Sequence, residues 1–269
     1  MIAVELVKLL RRPRTWVSVA LLCGLPALVA VFLAVTEVGP APGEEPAFLS
    51  AVLANGALFP AAALAIVLPV FLPVAVAVVA GDAIAGEAAS GMLRYLLIRP
   101  VGRTRLLVAK LVAMVVFMLI AVAAVAVSAY ALGTTLFPAA PGEVTSVSGA
   151  SLTKTELVLR LAATVLYVGV SMLGVGAIAL FLSTFTDSSL GATLGALAAL
   201  VASQVLVTLD AAGGVRPYLP TRYWFAWIDF FRDPILWRDI ERGLAIQGVY
   251  LAVFLALAWA NFATKDVKS

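Results

Sequence analysis

Six stretches of this chain stay apolar for about twenty residues at a time, the length a helix needs to cross a hydrocarbon core of about 30 Å. They are residues 16–36, 57–80, 106–132, 158–182, 190–209 and 244–262. Hydrophobic residues make up 63% of the 269 and charged ones 12%, against roughly 45–50% and 25% in a soluble domain. One water-soluble core cannot hide that much apolar surface. Lipid satisfies no backbone polar group, so spans are helices or closed barrels, and the alternating ten-residue pattern of barrel strands is missing. The expected fold is therefore an all-α integral membrane protein, a single transmembrane domain over residues 1–269 with six spans.

The first apolar run follows Lys8, Arg11, Arg12 and Arg14, as the core of a signal peptide would. It is longer than such a core, and no small-x-small cleavage site follows, so it reads as a retained span. Orientation follows the basic residues. With the amino terminus inside, those four fall on the inner side, as do Arg94, Arg99, Arg103, Arg105 and Lys110 in the second inner segment and Lys265 and Lys268 in the tail. Both termini are expected in the cytoplasm of a multi-pass cell-membrane protein.

The chain has no histidine and one cysteine, Cys23. That removes histidine general acid–base chemistry and histidine-ligated metals, and no metal site is expected. The small net charge of +3 forms no basic face for nucleic acid. No Asp, Glu, Lys or Arg lies at the middle of a span, which argues against an ion-coupled carrier or proton channel. An intramembrane enzyme would need a nucleophile with its base, and the nearest polar cluster, Asp187-Ser188-Ser189, reads more simply as a turn.

Outside the spans, residues 1–14 read as an amphipathic helix, with Ile2, Leu6, Leu9 and Leu10 on one face and Glu5, Lys8 and Arg12 on another. Such a helix suits the headgroup plane; a simple topological anchor is the alternative. Residues 210–243, expected outside, gather Tyr218, Tyr223, Trp224, Phe225, Trp227, Phe230, Phe231 and Trp237. Trp224, Trp227, Ile228 and Phe231 have helical spacing, and Asp233-Pro234 reads as an N-cap followed by Pro at the first helical position. Two short helices are expected there, either as an aromatic belt at the interface or as a lid.

The inner segment 81–105 reads GDAIAGEAASGMLRYLLIRPVGRTR. Its residues favour a helix from Asp82 to Ile98, broken by Arg99-Pro100-Val101-Gly102. It is short and charged, so it is either a docking element for a soluble partner or a loop that only sets topology. Glu87-x-x-x-Gly91-x-Leu93-Arg94, then Arg99-Pro100, then Arg103-Thr104-Arg105-Leu106-Leu107 and Lys110, resembles the permease subunits of type-2 ABC exporters. The basic amino-terminal helix, the six spans and the short inner turn at residues 183–188 agree with that resemblance.

The resemblance implies that segment 81–105 is a coupling helix docked on an ABC ATPase, with Asp82, Glu87, Gly91, Arg94, Arg99, Arg103 and Arg105 as coupling residues. It implies two ATPase copies and a second permease chain, expected to be identical. The chain has no G-x-x-x-x-G-K-[ST] phosphate loop, so ATP and magnesium would belong to the partner, and this chain would carry no cofactor and no catalytic residue.

Within the spans, Gly191, Gly195, Ala199 and Ser203 recur every four residues and suggest a helix-packing or dimer face. Pro69 and Pro73 are candidate hinge residues. The weakly polar Tyr130, Tyr167, Ser171 and Gln204 are candidate path residues for a lipophilic cargo such as a drug, antibiotic, peptide or lipid. A self-sufficient channel or secondary carrier is the alternative function.

Overall fold

The computed structural model describes residues 1–36, 48–53, 55–91, 102–137, 144–145 and 151–264. Helix α1 (Ile2–Arg11) turns at Arg12 into α2 (Pro13–Thr36). A short α3 (Leu49–Val52) and a 3-10 turn (Gly56–Leu58) lead into α4 (Phe59–Val67) and α5 (Phe71–Ala89). Then come α6 (Arg103–Leu136), a two-residue strand pair joining Val144–Thr145 to Ser151–Leu152, α7 (Lys154–Phe185), α8 (Ser189–Thr208) and α9 (Trp237–Thr264). Six of these helices are long and apolar enough to cross a membrane: α2, α5, α6, α7, α8 and α9.

The second apolar run is not one helix. It breaks at Leu68, Pro69 and Val70, because Pro69 and Pro73 carry no N–H to continue the helical ladder. The two pieces then pack with different neighbours: α4 lies chiefly on α6, whereas α5 lies on α7 and α8. Helix α4 is the most enclosed of the described helices, with Phe59, Ala61, Ala62, Ala63, Leu64 and Val67 all at 0% exposure. It reaches α6 through a backbone contact between Gly56 and Gly133, where neither residue has room for a Cβ.

Helix α1 is oriented by its charges. Glu5 is buried and Lys8 and Arg12 are half-buried, turned into the protein, while Val4, Val7 and Leu10 are exposed. An apolar outer face is stable only against acyl chains or another protein, as an interfacial helix requires. Its corner with α2 is tied by Thr15 Oγ1 donating to Leu9 O and Trp16 Nε1 donating to Leu10 O, both at 2.7 Å.

The segment between α8 and α9 departs from expectation. It folds as 3-10 turns at Asp210–Ala212, Arg216–Tyr218 and Ala226–Phe231 rather than as two α-helices. Short segments gain too few hydrogen bonds to propagate an α-helix, and the tighter turn puts residues three apart in register. The Asp233–Pro234 bond is cis and α9 starts only at Trp237, so Pro234 is not the first residue of a helix. Nor do most of the aromatics form a belt. Trp224, Trp227 and Phe231 are at most 1% exposed, packed on one another and on the bundle; Tyr218 and Trp237 remain outside.

Candidate functional site

Two regions bring candidate residues together: the end of the bundle that carries α1, and a groove near mid-span. At the α1 end, Glu87 Oε1 accepts from Lys8 Nζ and from Lys110 Nζ. Lys110 Nζ also donates to Glu5 Oε2 at 2.7 Å. Arg12 Nη1 donates to Asp82 Oδ2 at 3.0 Å, and Arg14 Nη1 lies 3.5 Å from Asp82 Oδ1. Glu87 is 2% exposed, Lys110 4% and Glu5 8%. Buried charges persist when each is paired, and these residues alternate in sign through the cluster.

Glu87 and Asp82, two of the expected coupling residues, are therefore paired within the chain. Both lie on the continuation of α5, and both are engaged within the chain. Helix α5 ends at Ala89, and Gly91 follows it at φ +69°, the left-handed conformation that closes helices and favours glycine. The helix expected from Asp82 to Ile98 therefore stops short. Gly91→Ala is expected to cost about 1 kcal/mol, measurable as a small drop in the melting temperature of the purified protein. Arg94 and Arg99 lie outside the described residues.

On the far side of that segment, Arg103 Nη1 donates to the carbonyls of Phe262 at 3.0 Å and Ala263 at 2.9 Å. A guanidinium here satisfies carbonyls that the last turn of α9 leaves open. Trp259 Nε1 donates to Thr104 Oγ1 at 3.0 Å, so the start of α6 is fastened to the end of α9. Arg103 thus has a partner within the chain, while Arg105 is exposed. The turn between α7 and α8 joins the same end: Ser183 Oγ accepts from Ile84 N at 3.0 Å and Ala85 N at 2.9 Å.

The groove lies between the break in the second span and α8. Pro69, Val70, Pro73 and Val74 form one wall, and Leu197, Leu200, Val201, Gln204, Val205 and Thr208 the other. Trp224 closes it, and the volume is about 400 Å³. The two hinge candidates and one path candidate, Gln204, therefore share one site. The other path candidates do not. Tyr167 donates its hydroxyl to Tyr223 O at 2.7 Å, and Ser171 is 2% exposed, so both are core residues beneath the 3-10 turns. Tyr130 is 49% exposed on α6 and lines no wall of this groove.

The four-residue stripe on α8 also splits. Ser203 Oγ hydrogen-bonds Thr221 Oγ1 at 2.7 Å, and a Cβ on Gly195 would sit 3.1 Å from Leu182. Gly191 and Ala199 are exposed. Each four-residue step turns about 40° beyond a full turn of helix, so the stripe winds off any single face. The face that packs within the chain is Ala192, Thr193, Ala196, Leu200 and Ser203.

The sequence reading did not find the pairing of Glu5, Lys8 and Lys110 with Glu87, nor the hold of Gln247 Nε2 on Pro220 O at 2.7 Å. Only the presence of a charge just inside an apolar run, as at Lys110, signals such a contact.

A family model described as an ABC-2 family transporter protein matches residues 1–203. The chain belongs to that family. The ABC-2 match covers α1, the broken second span, the ion cluster and the first part of α8, and it ends before the 3-10 turns and α9. No curated protein matches the chain. As an ABC-2 permease it is a multi-pass membrane protein and a transport subunit rather than an enzyme.

Proposed function

We propose that this permease forms the path by which a lipophilic cargo leaves the cell, driven by a separate ABC ATPase docked on the residues between α5 and α6. The observation that carries the reading is the anchoring of that segment on both flanks. Glu87 and Asp82 fasten its leading end to α1, and Arg103 fastens its trailing end to α9. A loop that only set topology would need neither anchor. Exposed Arg105 is the described coupling residue best placed to meet a partner; Arg94 and Arg99 belong to the same proposed contact.

The distribution of basic residues supports a cell-membrane protein with the α1 end and both termini on the cytoplasmic side. Two permease chains, taken as identical, would work with two ATPase chains that bind the ATP and magnesium. Closure of the ATPases would move the docked segment, and α5 would carry that movement to the break at Pro69 and Pro73 and so to the groove. The groove wall is apolar apart from the Gln204 amide and the Thr208 hydroxyl, which suits a lipophilic cargo with a few polar atoms.

The test is co-purification with an ABC ATPase, followed by efflux measurements on Val201→Trp. Val201 is 63% exposed and borders the groove. A bulky ring there is expected to cost about 1–2 kcal/mol of cargo binding, roughly 5- to 30-fold in transport, with co-purification unchanged. Undiminished transport would remove the groove from the path, and no ATPase in the purified complex would remove the coupling reading.

A further inference from the structure

The amino-terminal helix is held by more than membrane affinity. Three of its charged side chains turn inward and each meets a different point around the docking segment. Lys8 reaches Glu87 near the end of α5, Glu5 reaches Lys110 on α6, and Arg12 reaches Asp82 one turn further back on α5. The corner from α1 into α2 is braced by Thr15 Oγ1 and Trp16 Nε1 on the carbonyls of Leu9 and Leu10. Displacement of α5 along its axis therefore pulls on α1, and through that corner on α2.

We infer that Lys8 and Arg12 are positioning residues for energy coupling: they make α1 and α2 follow the docking segment when the ATPase closes. The inference rests on the reading that residues 92–101 meet an ATPase. Lys8 and Arg12 suit this role because their side chains are 29% and 38% exposed, so they can release and re-form contacts, unlike the enclosed Lys110. Lys110 pairs with both Glu5 and Glu87, so Lys8 brings the second positive charge that balances those two carboxylates, while Arg12 shares Asp82 with Arg14.

The chain supplies its own reporter. Cys23 is its single cysteine and lies part-buried in the middle of α2. In the purified complex of permease and ATPase, the rate at which a maleimide modifies Cys23 is read on the permease band with and without ATP and magnesium. The wild-type rate is expected to change about fivefold or more on adding nucleotide. In the double variant Lys8→Gln, Arg12→Gln that change should vanish while ATPase co-purification and ATP hydrolysis persist, with a lower melting temperature because Glu87 keeps only Lys110. The conservative pair Lys8→Arg, Arg12→Lys should restore it.

A nucleotide response that survives in the Gln variant overturns the inference, as does a wild-type chain whose Cys23 reactivity ignores ATP although the ATPase is bound and active. Failure of any ATPase to co-purify overturns the underlying functional reading as well, which distinguishes the two failures.

Discussion

Replacing Lys110 with methionine is expected to destabilise the protein by about 3–5 kcal/mol, the usual cost of removing one partner from a buried ion pair. Methionine matches the length of the lysine stem, so the loss is electrostatic rather than a cavity. Glu5, 8% exposed, would keep no ion-pair partner in the cluster, and Glu87, 2% exposed, would keep only Lys8. The measurement is the melting temperature of the detergent-purified chain beside the fraction that remains monodisperse after heating. A second measurement identifies the cause. Neutralising the abandoned carboxylate with Glu5→Gln in the same chain should recover part of the loss, because the two substitutions share one interaction and are not additive. A loss in the double variant equal to the sum of the losses in Lys110→Met and Glu5→Gln alone would mean that Glu5 and Lys110 act independently. A loss below about 1 kcal/mol would mean that the cluster behaves as a hydrated surface pair.

The second large effect is steric. A Cβ on Gly133 would lie 2.2 Å from the carbonyl oxygen of Gly56 and 2.8 Å from Phe59 Cβ. The obstacle is backbone, which cannot swing aside as a side-chain tip can. Gly56 faces the same limit from the other side, at 2.0 Å from Gly133 O. Small residues allow such close approach between membrane helices. Gly133→Val should therefore push the 3-10 turn and the start of α4 away from α6, at a cost of about 3 kcal/mol or more. Gly248→Ala on the exposed side of α9 is the matched control, since nothing lies within 4 Å of its added carbon. That change should be neutral or stabilise by up to about 1 kcal/mol through helix propensity. Similar melting temperatures for the two variants would refute the close contact.

The features legible in the sequence were those carried by local patterns. Runs of twenty apolar residues give spans because lipid forces helices on them. Pro69 and Pro73 mark the break because a missing N–H is a local fact. The ABC-2 resemblance rests on a short motif around Glu87, and the family match agrees with it. What stayed hidden was the direction each residue faces. A helix apolar on every side has no periodicity to say which face meets protein, so nothing in the pattern showed that Tyr167 and Ser171 would be buried. The same ambiguity let the spacing of Gly191, Gly195, Ala199 and Ser203 pass for one face. The pairing of Glu87 stayed hidden because its partners, Lys8 and Lys110, lie 79 and 23 positions away, beyond the reach of any local pattern.

The break at Leu68–Val70 has a consequence for how the molecule divides. Because α4 adheres to α6 and α5 to α7 and α8, the seam between two groups of helices runs through the interior of one span. The chain changes partners there within three residues, in the middle of an apolar run. From there α5 extends 19 residues, a rod of about 28 Å, to the segment proposed to meet the ATPase. The break that lines the groove and the proposed docking segment thus sit at opposite ends of one uninterrupted helix.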